Sequence, residues 1–278
     1  MAKSATTGSA KRKPAKAVTK SSSSRSSGGG SSNRSRSDDS GSTASGAQLI
    51  QAGTLTVCSD VPYPPFEDFD KSAPTGFKGF DIDIVTAVAE DLELDLEIKD
   101  SSFDALQSGL ALNSGQCDLA ASAMTITPER EDKLGFSEPY YDSKQSLLVP
   151  AGSDIASIDD LAGRKVAVQK GTTGATYAAE NAPDAELVTY PSDGEMYTAL
   201  KGGQVDAILQ DLPVNLDHQE DPDQPGKFTI VEEYETDESY GLAMKKTNTQ
   251  LIEDVDAALA KLRESGEYQK IYDSYFAS

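Results

Sequence analysis

The sequence has little histidine, little cysteine and no long apolar run. One histidine, His218, in 278 residues argues against a histidine-based metal site or catalytic triad, and we expect neither a metal nor a cofactor. Two cysteines, Cys58 and Cys117, can form one disulfide, but their spacing alone leaves open whether they do. No stretch of about 18 apolar residues exists, so the sequence predicts no membrane-spanning helix. The N-terminus lacks the apolar segment of roughly 7–15 residues that marks a secretory signal.

Basic residues are also scarce outside the first 36 residues. That segment holds nine of the 25 Lys and Arg and none of the 46 Asp and Glu, so the other 242 residues carry a net charge of −30. So acidic a surface repels phosphates, which argues against nucleic acid as a partner of the folded part. The same charge favours high solubility and a cationic or zwitterionic ligand.

Residues 1–47 differ in composition from the rest of the chain. They are rich in Ser, Gly, Lys and Arg and contain almost no large apolar residues. Such a segment cannot bury enough apolar surface to offset chain entropy, so we expect it to be disordered. It is either a tether or an arm that binds a surface or nucleic acid, and order is predicted to begin near Gln48.

Short strands and amphipathic helices alternate in the next part of the chain. In the second element, Ile82, Val85 and Ala89 recur at helical spacing after Asp81, a good N-cap. The predicted order is strand 54–60, helix 79–92, strand 92–99, helix 103–115 and strand 117–124. This alternation predicts a parallel α/β sheet with right-handed crossovers.

The same alternation recurs further along, and a short repeat accompanies it. The segments "ALNSGQCD" (111–118) and "ALKGGQVD" (199–206) match closely at a separation of 88 residues. In both, a helix end, a Gly turn and a buried strand follow one another. The sequence therefore predicts two similar α/β lobes.

The C-terminal residues are too few to form a third domain. A strand-like piece (238–246) precedes two amphipathic helices (249–266 and 268–276), and we expect these elements to return to the first lobe. Lobe 1 is then predicted to comprise 48–142 plus 237–278, and lobe 2 to comprise 143–236. A ligand cleft is expected between the lobes, because α/β sheets bind ligands at the carboxyl ends of their strands.

The stretch "AMTITPERE" (123–131) suggests an anion site at the cleft. Thr127 before Pro128 is typical of an N-cap followed by the first helical residue, which places Arg130 in the first turn. Exposed backbone amides and a guanidinium together suit a carboxylate. The alternative is a surface salt bridge between Arg130 and a neighbouring acid.

Other candidate residues follow strands of both lobes. In "QKGTTGA" (169–175), glycines flank Thr172 and Thr173, so the loop can expose amides and hydroxyls to an anion or simply cap the next helix. Asp211 ends a strand before Pro213, where it can hold an ammonium group or act as an N-cap, and Asp60 has the same ambiguity.

Aromatic residues complete the predicted pocket. Tyr63 and Phe103 lie at a loop and a helix start that border the cleft, where either a core or a ligand-stacking position is possible. An arginine with amides for an anion, an acid for a cation and flat aromatic rings describe a pocket for an α-amino acid.

From about Leu49 to Phe276 the chain resembles the family 3 extracytoplasmic solute-binding proteins of polar amino-acid ABC importers. The motifs that carry the resemblance follow that family's order and spacing. They are "YPPFE" (63–67), "GFDIDI" (79–84), "MTITPER" (124–130), "GTTGA" (171–175) and "LQDLP" (209–213). The resemblance implies a periplasmic-binding-protein type II fold: two α/β lobes with mainly parallel sheets, joined by a two-segment hinge at 141–145 and 234–238.

The resemblance also implies roles for individual residues. The α-carboxylate would be bound by Arg130 and the backbone amides of Thr125 and Thr173. The α-ammonium would be bound by Asp211, the Ala123 carbonyl and the Thr125 hydroxyl. Tyr63 and Phe103 would sandwich the side chain, and Asp60, Ser122 and Gln169 would meet its far end. The candidate ligand-binding residues are Asp60, Tyr63, Phe103, Ser122, Ala123, Thr125, Arg130, Gln169, Thr172, Thr173 and Asp211.

Asp60 at the side-chain end favours Arg, Lys, ornithine or His, with glutamine second. An acidic ligand would need another cation there, for which Lys170 is the nearby candidate. The family implies that the chain acts as an extracytoplasmic monomer, delivers the amino acid to ABC permease subunits and is not an enzyme. The alternatives are a sensory ligand-binding module and a dehydratase-like enzyme, for which Glu67 or Asp60 would be the acid or base.

Overall fold

The computed structural model describes residues 46–277 and the short strand Gly41–Ser42. These residues fall within one compact unit that spans Asp39–Ser278. The prediction of a disordered tail over 1–47 lies outside the described residues, except for Gly41–Ser42 and residues 46 and 47. Gly41–Ser42 pairs antiparallel with Gln48–Leu49, and Ala47 is buried.

Fourteen strands and nine α-helices are formed by the described residues. The strands are β1 Gly41–Ser42, β2 Gln48–Leu49, β3 Thr54–Ser59, β4 Asp68–Phe69, β5 Phe77–Lys78, β6 Asp95–Asp100, β7 Leu119–Ala120, β8 Leu134–Phe136, β9 Tyr141–Pro150, β10 Lys165–Gln169, β11 Glu186–Tyr190, β12 Ala207–Asp211, β13 Phe228–Tyr240 and β14 Ala243–Lys245. The helices are α1 Phe80–Asp91, α2 Phe103–Gln107, α3 Leu110–Asn113, α4 Pro128–Glu131, α5 Thr173–Asn181, α6 Asp193–Lys201, α7 Leu212–Gln219, α8 Thr249–Ser265 and α9 Glu267–Phe276. A 3₁₀ turn covers Ile158–Leu161.

Two five-stranded sheets organise the molecule. The first has the order β6-β3-β7-β14-β8, and the second has the order β11-β10-β12-β9-β13. In each sheet the first three strands are parallel, and the last two join by antiparallel pairing. The predicted parallel α/β centres are therefore confirmed, and antiparallel strands complete both sheets.

Both sheets are covered on both faces, which is why the central strand β3 is buried along its whole length. In β3, Val57 packs into the cluster with α1, α8 and α9, while the next residue, Cys58, packs into the cluster with α2 and α3. In β10, Val166 and Ala167 likewise enter the two clusters on opposite faces of the second sheet. Because successive side chains of a strand point to opposite faces, each of these strands contributes to a core on both sides of its sheet.

The chain crosses between the sheets twice. It leaves the first sheet after β8, builds the second sheet from β9 to β13, and returns as β14. The predicted hinge segments, 141–145 and 234–238, lie in the paired strands β9 and β13, whose register shifts between Tyr234 and Glu238. Among the described residues, no helix is both long and apolar enough to cross a membrane. The exact lobe boundaries, at 142/143 and 236/237, stay predictions.

Cys58 and Cys117 form a disulfide with a Cα–Cα distance of 5.8 Å. Only Cys58 lies on a strand, because Cys117 precedes β7 by two residues. The resulting cross-link ties the loop before β7 to the middle of the first sheet.

The local structure differs from the sequence-based prediction at several points, and the strand predicted over 92–99 begins only at Asp95. Asp81 does not cap α1; Gly79 holds that position, and the Asp81 carboxylate is buried. The single helix predicted over 103–115 is two helices, separated where Gly109 takes a positive φ of 78°. The strand predicted over 117–124 is reduced to Leu119–Ala120.

Candidate functional site

All eleven predicted site residues line one cavity. Asp60 follows β3 of the first sheet, and Gln169 and Asp211 end β10 and β12 of the second. The cavity therefore lies where the carboxyl ends of parallel strands from the two sheets meet, as α/β folds place their ligand sites.

Arg130 enters this cavity from the short helix α4. Thr127 caps the helix by accepting a hydrogen bond from the Arg130 backbone N–H at 3.3 Å, and Pro128 is its first residue. The guanidinium is buried; its Nη1 donates to the Thr125 carbonyl at 2.7 Å and its Nη2 to the Gly171 carbonyl at 3.0 Å. Burial lowers the Arg130 pKa, against the opposing effect of Asp211 and Glu238.

The surface salt bridge that was the alternative for Arg130 is not formed among the described residues. Instead, the guanidinium lies over the Phe103 ring, with its central carbon 5.1 Å from the ring centre. Arg130 therefore presents a buried cation beside an aromatic ring at the predicted anion site.

The Asp211 carboxylate accepts hydrogen bonds from three side chains. Tyr63 and Tyr240 donate through their hydroxyls at 2.9 and 2.6 Å, and Gln145 donates from its amide. The Asp211 carboxylate accepts no capping bond from α7, so the N-cap alternative does not describe its side chain. Burial, and then the nearby charge of Glu238, raise the pKa of Asp211 to about 6.

Asp60 and Gln169 meet across the cavity. Gln169 Nε2 donates to Asp60 Oδ2 at 2.5 Å and to the Pro191 carbonyl at 3.1 Å. The Asp60 backbone N–H donates to the Ser122 hydroxyl at 3.0 Å. Burial raises the Asp60 pKa to about 6, although the Gln169 hydrogen bond opposes the shift. An acid, an amide and a hydroxyl thus form one polar end of the cavity.

The Gly-Thr loop brings the second sheet close to α2. Thr172 caps α5, which begins at Thr173, by accepting a hydrogen bond from the Ala175 N–H at 3.1 Å. Gly171 has a positive φ of 81°, and a Cβ there would lie 2.9 Å from the Gln107 amide nitrogen. Glycine is favoured at this position because the backbone is left-handed there.

Glu238 is a buried acid at this site that the sequence did not indicate. Its Oε2 accepts hydrogen bonds from the hydroxyls of Thr125 and Thr173, each at 2.7 Å, and its Oε1 accepts from Gln145 at 3.0 Å. Thr125 follows a strand of the first sheet and Thr173 begins a helix on the second. A single carboxylate therefore joins both sides of the cavity.

A family model for the bacterial extracellular solute-binding proteins, family 3, matches residues 55–278. The chain belongs to this family. It is similar to a "probable histidine-binding protein" of Neisseria gonorrhoeae (31% identity; 85% of this chain and 88% of that protein). It is also similar to an ABC transporter arginine-binding protein of Escherichia coli strain K12 (30% identity; 84% and 93%).

Solved structures show the same fold. An ancestral arginine-binding protein bound to glutamine matches with a TM-score of 0.76 and 35% identity over 82% of this chain and all of that chain. An ancestral amino-acid-binding protein, described as a precursor of cyclohexadienyl dehydratase, matches with a TM-score of 0.71 and 34% identity over 81% and 95%. This solute-binding protein therefore has the two α/β lobes of the amino-acid-binding proteins.

Gln145, Glu238 and Tyr240 are the residues of this solute-binding protein's cavity region that sequence reasoning missed as site residues. All three lie on β9 or β13, in or beside the segments predicted as hinges. Polar side chains inside an otherwise strand-like pattern were the only signal. Among the described residues, no group of three or more His, Cys, Asp or Glu has a geometry that could hold a metal.

Proposed function

We propose that this solute-binding protein is the substrate-binding component of an ABC importer and that it captures a polar, basic amino acid. The ligand would be Arg, Lys, ornithine or His, with glutamine next. The observation that carries the proposal is that Arg130 and Asp211, a buried cation and a buried acid, line the same cavity. An α-amino acid carries one charge of each sign at neighbouring positions, and relatives are named for arginine and histidine.

At the α-carbon end, Arg130 and the backbone amides of Thr125 and Thr173 would bind the α-carboxylate. Asp211, the Ala123 carbonyl and the Thr125 hydroxyl would bind the α-ammonium. Glu238 lies beside both sets of contacts, because it accepts hydrogen bonds from the hydroxyls of Thr125 and Thr173.

At the side-chain end, the Tyr63 and Phe103 rings would flank the ligand, and Asp60, Ser122 and Gln169 would meet its terminal group. Lys170 does not supply a cation for an acidic ligand, because its ammonium group pairs with Asp104 at 2.9 Å and it does not line the cavity. An acid without a paired cation at this end favours a basic side chain over Glu or Asp.

Ligand entry would require the two lobes to separate. Hydrogen bonds from Gln169 to Asp60 and from Tyr63 to Asp211 join the two sides of the cavity. In the proposed cycle these bonds break on opening, and bonds to the ligand replace them on closure around the hinge strands. The closed form would then dock on the permease as a monomer.

We further propose that the protein acts outside the cytoplasm, as its family's description implies. The Cys58–Cys117 disulfide is in keeping with an oxidising compartment.

An enzymatic role is the second candidate, because one structural neighbour is a precursor of a dehydratase. The acid or base would be Asp60, whose pKa is raised to about 6 by burial. Glu67 suits this role poorly, since it is fully buried beneath the cavity lining and hydrogen-bonded to Ser122. Binding of an unchanged amino acid without turnover separates the two candidates.

A thermal-shift screen of the twenty amino acids, ornithine and citrulline tests the proposal. We expect the largest rise in melting temperature with Arg, Lys, ornithine or His, and a smaller rise with glutamine, because a ligand stabilises the state that it binds. Citrulline is the matched neutral control for arginine. A screen in which no amino acid raises the melting temperature contradicts the proposal.

A further inference from the structure

Two carboxylates, Glu67 and Asp81, lie fully buried directly beneath the ligand cavity. Glu67 follows the loop after β3, and Asp81 lies in the first turn of α1. Their backbones are adjacent, because the Asp81 N–H donates to the Phe66 carbonyl at 3.0 Å. Neither side chain lines the cavity or has a part in the proposed ligand contacts.

Each carboxylate has one oxygen engaged and one without a partner. Glu67 Oε1 accepts from the Ser122 hydroxyl at 2.7 Å, and Asp81 Oδ2 accepts from the Ala123 N–H at 2.8 Å and the Tyr140 hydroxyl at 2.7 Å. Glu67 Oε2 and Asp81 Oδ1 are buried without a hydrogen-bond partner. Within the described part of the chain, no Lys, Arg or His forms an ion pair with either group.

Two adjacent buried carboxylates without a cation cannot both be ionised at low energetic cost. A proton between the two orphaned oxygens would give each of them a partner and remove one charge. We propose that Glu67 and Asp81 share one proton, carried by Glu67, and that the pair positions the ligand-facing residues Ser122 and Ala123. The proton belongs on Glu67 because a backbone N–H and a tyrosine hydroxyl stabilise the charge of Asp81, whereas the donors beside Glu67 are serine hydroxyls.

The hydrogen bonds of Glu67 Oε1 to Ser122 and of Asp81 Oδ2 to Ala123 support the positioning role. Ser122 accepts from the Asp60 N–H while it donates to Glu67, so Glu67 orients the hydroxyl beside the polar end of the cavity. Ala123 has a positive φ of 43°, an unfavourable backbone for alanine, and its N–H is tied to Asp81. This part of the inference rests on the proposed function, whereas the shared proton does not.

The surrounding titratable groups favour the neutral form of Glu67. Those that face it are Asp60, Tyr63, Asp81 and Tyr140, and none is a cation. Burial, and then the charge of Asp81, raise the Glu67 pKa well above its ordinary value, whereas for Asp81 the upward effect of burial on the pKa is opposed by the hydrogen bonds from the Ala123 N–H and the Tyr140 hydroxyl.

Carboxyl-carbon NMR on the ligand-free protein tests the shared proton directly. At pH 7 we expect the Glu67 Cδ to show the chemical shift of a protonated carboxyl group. Folding then takes up a proton, so stability falls as pH rises from about 5 to 7. This one proton makes the unfolding constant increase by up to about tenfold per pH unit, and Glu67→Gln should remove that increase. The exposed Glu264→Gln is the control. An ionised Glu67 at pH 7, with an unchanged slope in Glu67→Gln, overturns the proposal.

A double-substitution cycle tests whether the two orphaned oxygens face each other. In Glu67→Gln or Asp81→Asn, one amide N–H replaces the shared proton, so each single variant should fold with the site intact. In the double variant, two N–H groups lie opposite each other without an acceptor as long as the amide oxygens keep the existing contacts, and turning either amide over would instead break a hydrogen bond with Ser122, Ala123 or Tyr140. We expect its fold-change in the unfolding constant to exceed the product of the two single fold-changes by about tenfold to a hundredfold. Additive single effects overturn the facing arrangement.

Hydrogen exchange of the Ala123 amide tests the positioning role in the absence of ligand. We expect exchange at least about tenfold faster in the double variant than in either single variant, since the Asp81 contact is strained. If the double variant does not fold, Asp81→Ala provides the same comparison. Unchanged exchange in a folded variant overturns the positioning role. Failure of the wild-type protein to bind any amino acid would instead count against the proposed function and leave the NMR result standing.

Discussion

The Tyr63 hydroxyl donates to Asp211 Oδ2 at 2.9 Å, although the two residues are 148 positions apart in the chain. Tyr63 comes from the loop after β3 of the first sheet, and Asp211 ends β12 of the second. Their hydrogen bond therefore crosses the cavity at the proposed ammonium site. A ligand ammonium would take the place of the tyrosine hydroxyl as a donor to the same carboxylate.

Arg130→Ala should abolish amino-acid binding. The guanidinium is the only Arg or Lys side chain in the described cavity lining, and a buried bidentate contact to a carboxylate is among the stronger polar interactions. We expect a loss of affinity of at least about 100-fold, or about 2.7 kcal/mol, in titration calorimetry. Arg130→Lys should recover only part of the affinity, because an ammonium group cannot form the two parallel hydrogen bonds that a guanidinium makes to a carboxylate.

The control for Arg130 is Arg164→Ala, which removes a partly exposed guanidinium that pairs with Asp154. Its affinity should match that of the wild-type protein. Because Arg130 also bonds to Thr125 and Gly171, circular dichroism must show that Arg130→Ala remains folded. Wild-type affinity in a folded Arg130→Ala protein would refute the carboxylate role.

Asp60→Asn should weaken basic ligands more than glutamine. The substitution removes the charge at the side-chain end of the cavity but keeps an acceptor for Gln169. We expect arginine to lose about tenfold or more in affinity and glutamine to change by less than about threefold. The exposed Asp95→Asn serves as the control for net charge. Equal losses for both ligands would show that Asp60 does not select the side chain.

Affinity for arginine should fall as the pH drops through about 6. Burial raises the pKa of both Asp60 and Asp211 to about 6, and a cationic ligand binds their ionised forms. Below that pH, binding must displace protons, which weakens it by up to about tenfold per pH unit for each proton released. Arginine suits the measurement because its guanidinium does not titrate in this range.

Calorimetry at pH 5, 6, 7 and 8 checks the direction of this change. In Asp60→Asn the decline between pH 7 and pH 5 should be shallower, because one of the two titrating groups is absent. An affinity that is constant, or that increases on acidification, would be inconsistent with the proposed contacts.

Removal of the disulfide should destabilise the protein without changing its affinity. The cross-link closes a loop with a sequence separation of 59, for which the loop-closure model gives about 4 kcal/mol. Urea denaturation of the Cys58→Ser/Cys117→Ser double variant measures the loss. Neither cysteine lines the cavity, so ligand affinity should stay within about twofold. A loss under about 1 kcal/mol would show that the cross-link contributes little.

The sequence predicted which residues meet at one cavity where local rules decide the structure. Thr127 and Pro128 define the start of α4, and acids and amides at strand ends mark the edge of a parallel sheet. The order of these elements was therefore enough to bring Arg130 and Asp211 to one cavity. Whether these groups bind a ligand stays a prediction, as does the position of the hinge.

Tertiary contacts decided what the sequence could not predict. Asp81 has the spacing of an N-cap, but the Ala123 amide and the Tyr140 hydroxyl hold its carboxylate in the interior. Glu238 lies in β13, whose pairing with β9 is a long-range contact and includes a register shift between Tyr234 and Glu238. Such residues form hydrogen bonds with buried groups from distant parts of the chain, and no local sequence pattern predicts these contacts.

The most direct test of amino-acid capture compares a ligand with its decarboxylated form in titration calorimetry. For L-arginine that form is agmatine, which keeps the guanidinium and the amine but lacks the α-carboxylate. We predict that L-arginine binds and that agmatine binds at least about 100-fold more weakly, because Arg130 then has no partner. Equal affinities for the two compounds, or no binding of any amino acid, would contradict the account.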